Sequence, residues 1–180
     1  MNVGKLFSVI RQEFPSMFRR YLLLGAFDGI TLELSILLSS QATKLEGKEL
    51  LLITISSLLA ISISSGWNAL IIELNEANLS LQELERQMLR SLKGTVYDYS
   101  FKIAAILSAI LHALSPFLGI FPVMLYIYTK NFIMAEILSL FILAIIGFIY
   151  GTRIKERLKY SGVLLLSGLI LVFLIYLITK

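Results

Sequence analysis

The chain has 180 residues, 57% hydrophobic and 16% charged, with mean hydropathy +0.84 and net charge +4. A soluble domain carries nearer 25% charge, so the composition indicates a single membrane domain, 1–180, with little room for a soluble appendage. There is no cysteine and one histidine, His112. This excludes disulfides, thiolate metal sites, cysteine nucleophiles and any His-rich metal site within one chain.

The N-terminal stretch, about 1–18, places Val3, Leu6, Phe7, Ile10, Phe14, Met17 and Phe18 at helical spacing. It predicts an interfacial amphipathic helix, or one packed on the protein's own end, that Pro15 breaks or kinks before the first span. No cleavable signal peptide is evident. Five runs then reach the roughly 20 apolar residues a membrane helix needs. They are about 21–41, 50–72, 103–127, 132–151 and 161–179. The fold class expected is all-α, a polytopic membrane protein with five transmembrane helices. A helix over 73–93 should continue the second span into the cytoplasm, with Ala77, Leu81, Leu84, Met88 and Leu92 on one face and Gly94 as its stop. Glu73, Glu76 and Glu83 fall within an arc of about 80° on another face. Pro116 and Pro122 should kink the third span and free backbone carbonyls. Gly147 and Gly151, four apart in the fourth, suggest close helix contact or dimerisation.

With the N-terminus inside, twelve of the sixteen Lys and Arg residues lie on the inner side and only Lys44, Lys48, Lys130 and Lys180 outside. The positive-inside rule therefore puts the N-terminus in the cytoplasm. The basic residues sit at membrane boundaries and give no sign of a nucleic-acid partner. Five spans cannot divide into two equal halves, which argues against an inverted repeat within one chain.

Polar residues inside the spans are the candidate functional groups, because ionisable side chains in a bilayer are costly. Asp28 lies seven residues into the first apolar run and shares a stripe with Thr31, Ser35 and Ser39. Ser57, Ser64, Asn68 and Asn75 share one in the second span, and Ser108, His112 and Ser115 share one in the third. Asp28 lies about 10 Å from the inner end of its span. Ser64, Ser65, Asn68, Ser108 and His112 come to a similar depth, predicting a polar layer inside the cytoplasmic mouth. Glu33 lies about 140° round the helix from Asp28; a subunit interface and a second protonatable site are both open for it. Interhelical packing is the competing reading for the serines, and a structural ion pair for Asp28. Carboxylate, amide and hydroxyl ligands suit Mn²⁺, Fe²⁺, Mg²⁺ or Ca²⁺ better than Cu(I). No GxSxG, HExxH, phosphate loop or dinucleotide fingerprint occurs, so no enzyme is expected.

Gly25-Ala26-Phe27-Asp28-Gly29 resembles the Gly-Ala-x-Asp-Gly signature of the vacuolar iron transporter family. Ile63-Ser64-Ser65-Gly66-Trp67-Asn68, the double-proline stretch Leu114 to Pro122 and the Glu-rich helix after span two extend the resemblance over nearly the whole chain. It looks most like a short archaeal-type branch with a reduced cytoplasmic metal-binding segment. The resemblance implies a homodimer that moves Fe²⁺ or Mn²⁺ out of the cytoplasm in exchange for protons, with no permanently bound cofactor. It implies a prokaryotic plasma membrane as the location. On it, Asp28 corresponds to the membrane carboxylate of the path; Ser64, Asn68, His112 and Glu33 are further path candidates by their polarity and place in the spans. Glu73, Glu76, Glu85 and Met88 fall where iron-storing members collect metal. Where many members have Met-x-x-Gly-Glu in span two, this chain has Ile63 and Trp67. That departure favours the alternative of a non-transporting scaffold or regulator on the same fold, and a transporter of another small cation or an organic solute fits the polar layer equally well.

Overall fold

A computed structural model describes residues 3–45 and 47–179, and the side chains of 16–45 and 47–178. The elements are α1 (Val3–Thr43), α2 (Gly47–Met88), α3 (Val96–Leu114), a 3-10 segment (Ser115–Gly119), α4 (Ile120–Thr129), α5 (Phe132–Tyr150) and α6 (Ile154–Thr179). Among the described residues there is no strand. Five helical stretches are long and apolar enough to cross a membrane: Ser16–Thr43, Gly47–Met88, Val96–Thr129, Phe132–Tyr150 and Ile154–Ile178. They are the framework of a multi-pass integral membrane protein. Apolar side chains also cover the outside. On α6, Leu166, Leu169, Ile170, Phe173, Leu174 and Leu177 are all exposed, a surface suited to hydrocarbon rather than water.

α1 is the central element and touches every other one. α2 pairs with α3 on one side of it and α5 pairs with α6 on the other. Ala26, Ile30 and Leu34 of α1 pack on Leu143 and Ile146 of α5 and Leu164 of α6. Further along, Leu37 packs with Leu50, Val123 and Ala135. Toward the other end Tyr21 packs with Ala69 and Ala109.

Three boundaries differ from the sequence expectation. α1 runs unbroken through Pro15, so helix 1–18 and span 21–41 are one element. A proline removes one hydrogen bond, and long helical stretches on both sides carry the helix past it. The amphipathic face proposed for residues 1–14 lies outside the described side chains. α2 ends at Met88, short of 93 and of Gly94, because Leu89 turns left-handed at φ 51°. Its 42 residues extend about 63 Å, twice the thickness of a hydrocarbon core, so one end projects beyond it. The third span is not one α-helix. Pro116 has no N–H for the His112 carbonyl, which takes the Ser115 hydroxyl instead at 3.2 Å, and five residues tighten into the 3-10 segment.

That segment crosses α1 at very short range, and glycine permits it. A Cβ on Gly25 would lie 1.9 Å from Ser115 Oγ, and one on Gly29 would lie 2.1 Å from the Pro116 carbonyl oxygen. Gly147 likewise lies against the backbone of Tyr160 and Ser161 on α6. The glycine spacing in the fourth span therefore serves a helix contact within the chain.

Candidate functional site

A cavity of about 860 Å³ opens at the end of the bundle where α5 turns into α6. It takes Arg19, Arg20 and Tyr21 from α1, Glu73 and Glu76 from α2, His112 from α3, and Tyr150, Glu156 and Tyr160 from the α5–α6 corner. The charged lining is three carboxylates against two guanidiniums.

Glu73 is the organising group. Its side chain is 8% exposed, and its Oε1 accepts from both Arg20 Nη2 and the Tyr21 hydroxyl. Arg20 is half exposed and also donates to the Tyr21 hydroxyl at 3.1 Å. The Tyr21 ring then lies against His112, centroids 5.2 Å apart. Ser115 Oγ reaches the Tyr21 carbonyl at 3.2 Å, tying the 3-10 segment to the same place. A continuous line of contact thus runs from Arg20 at the mouth through Glu73 and Tyr21 to His112 in the interior. On α3, Ser108 Oγ and His112 Nδ1, one turn apart, are buried with no hydrogen-bond partner among the described residues.

The other two carboxylates differ in freedom. Glu156 Oε2 accepts from Thr152 N, Thr152 Oγ1 and Arg153 N at the start of α6 and is occupied as a helix cap. Glu76 is exposed, with no hydrogen bond or ion pair among the described residues.

Of the residues singled out from the sequence, the cavity brings together Glu73, Glu76 and His112. The others lie apart from its lining. Asp28, Ser64 and Asn68 are exposed on the flanks of the bundle, so the expected polar layer is not enclosed within one chain. The hydroxyls of Thr31 and Ser35 bond to carbonyls one turn back, at 2.8 Å each, rather than to a site. Glu85 accepts from Leu92 N at 2.7 Å and Ser91 Oγ at 3.0 Å, and so fastens the turn after α2. Met88 is exposed at the end of that helix. Glu33 faces neither a cavity nor an open surface. It is fully buried within the chain between α1 and α5, bonded to Ser139 Oγ at 2.8 Å. That burial is incompatible with a subunit interface at Glu33. Among the described residues no three His, Asp or Glu side chains are grouped closely enough to hold a metal ion.

Tyr21, Glu156, Tyr150 and Tyr160 were not anticipated, and Arg20, a candidate ion-pair partner for Asp28, pairs with Glu73 instead. Arg20-Tyr21 did carry a signal: a cation beside an amphipathic ring at the start of one span, level with a carboxylate at the end of the next. Against family models, curated proteins and solved structures the chain gives no match.

Proposed function

We propose that this integral membrane protein is a homodimeric transporter that exports a divalent cation, Fe²⁺ or Mn²⁺, from the cytoplasm in exchange for protons. The observation that carries the reading is the carboxylate-lined cavity in which contact runs from Glu73 through Tyr21 to His112. On the positive-inside orientation the cavity faces the cytoplasm, and Glu76 raises the local cation concentration at its mouth. Asp28 supports the dimer. A carboxylate exposed on the flank of an apolar helix is costly against lipid. A second copy of the chain would cover it and set two Asp28 carboxylates near one axis, where a metal and protons compete for the same oxygens. The organism and membrane follow from the resemblance alone, a prokaryotic plasma membrane.

The Arg20–Glu73 pair favours a second reading. It occupies the one buried carboxylate of the cavity with a tethered cation, as suits a scaffold that moves nothing. Mn²⁺ and Fe²⁺ flux into proteoliposomes under an imposed pH gradient separates the two. Proton-coupled flux by the wild type, lost at least tenfold in Asp28→Asn while the variant keeps its gel-filtration profile, is the expected result. No flux above empty vesicles would favour the scaffold, or a different cation. Undiminished flux in the variant would remove Asp28 from the path.

A further inference from the structure

Glu33 is the most completely buried ionisable group among the described residues, with 0% exposure, and nothing in the cavity above makes use of it. It sits one turn along α1 from Gly29, where the 3-10 segment crosses. A Cβ added to Gly119 would lie 3.2 Å from its own Cβ. Its Oε1 has no hydrogen-bond partner among the described residues. Its Oε2 has one, Ser139 Oγ, and that hydroxyl also lies 3.0 Å from the Ala135 carbonyl.

We propose that Glu33 is a proton-binding site in the membrane interior, holding its proton between Oε2 and Ser139 Oγ. The hydrogen count supports this. A serine hydroxyl has one hydrogen to donate. If Glu33 is ionised, two acceptors, Oε2 and the Ala135 oxygen, compete for that hydrogen. If Glu33 carries a proton, Oε2 donates to Ser139 Oγ and Ser139 Oγ donates to Ala135 O, so each hydrogen has its own acceptor. Among the described residues no cation pairs with Glu33. The pairs Arg20–Glu73 and Lys102–Asp98 do not include it. The titratable groups of α4 and α5 are directed elsewhere: Tyr128 is exposed, and Tyr150 stands edge-on to Tyr160. Glu136 of α5 lines a separate cavity with Leu38, Gln41 and Tyr176 of α6. Tyr126 of α4 stands edge-on to Phe132. The 3-10 segment has no ionisable side chain. An unpaired charge so enclosed is strongly disfavoured, whereas a neutral carboxylic acid with one good hydrogen bond is tolerated. Use of this proton in exchange for a cation rests on the transport reading; its presence does not.

The test is infrared difference spectroscopy of the full chain in ether-lipid vesicles at neutral pH without added divalent metal. Ether lipids lack the ester carbonyls that would cover the carboxylic acid band. Wild type minus Glu33→Gln is expected to show a carboxylic acid C=O stretch that the variant has lost. Ser139→Ala, which keeps Glu33, is expected to shift that stretch to higher frequency as its hydrogen bond is removed, and it serves alone if Glu33→Gln does not fold. Carboxylate bands at Glu33 in place of the acid band, or an acid band that Ser139→Ala leaves unmoved, would overturn the proposal. Neither readout depends on whether a metal is transported.

Discussion

Replacing Gly29 with alanine tests the closest contact in the bundle. The new Cβ would stand 2.1 Å from the oxygen, 2.5 Å from the Cα and 2.6 Å from the carbonyl carbon of Pro116. Attractive contact between heavy atoms begins near 3.5 Å, so the 3-10 segment must withdraw by more than about 1 Å. All three atoms are backbone, so no rotamer change relieves the clash. The same segment meets Gly29 a second time, where Gly119 packs against its carbonyl, so withdrawal loosens both contacts. Overpacking typically costs about 1–3 kcal/mol, and a backbone obstacle belongs at the upper end. Alanine recovers up to about 1 kcal/mol through its better helix propensity. The net loss is then about 2 kcal/mol, roughly a 30-fold shift in the unfolding equilibrium. Gly162→Ala is the matched control. It lies in α6 with nothing within 4 Å of its Cβ position and is expected to gain stability by up to about 1 kcal/mol. Unfolding of both variants in detergent micelles, followed by circular dichroism, gives the comparison. A Gly29→Ala protein as stable as the wild type, or equal losses at the two positions, would refute the close α1 crossing.

Two further substitutions probe the turn after α2 and the mouth of the cavity. Leu89 is 92% exposed yet held at φ 51°. Leu89→Gly is expected to raise stability by about 1 kcal/mol, and a lower unfolding midpoint would rule out the left-handed turn there. Arg20→Ala leaves Glu73 with Tyr21 as its remaining partner and is expected to cost about 1–2 kcal/mol. That is less than a fully buried pair would lose, because the arginine is half exposed. A double-mutant cycle with Glu73→Gln should return a coupling above about 0.5 kcal/mol, and additive losses would show that the pair does not act as a unit.

The five spans were legible in the sequence because hydropathy over about twenty residues is a local property, independent of what packs against what. Pro116 and Pro122 likewise announced a disturbed third span, since a missing N–H acts on its own helix. Their effect on the neighbour was not announced. Two glycines of α1 and a 3-10 segment some ninety residues later must meet before the short crossing exists. The same division runs through the site. Helical spacing correctly set Asp28 and Glu33 on different faces of α1, but the periodicity of one helix does not say which face is inside. In a membrane protein the usual guide, polar outward and apolar inward, fails because the outside is apolar too. The positions of α5 and the 3-10 segment therefore decided that Glu33 is the buried acid and Asp28 the exposed one. Glu73 was visible as one member of an acidic arc. Only tertiary packing, joining residues more than fifty positions apart, turned it into the partner of Arg20 and Tyr21. Hydrophobic length is written into each segment separately, whereas burial and pairing belong to the assembled bundle, and the chemistry of this chain depends on the second.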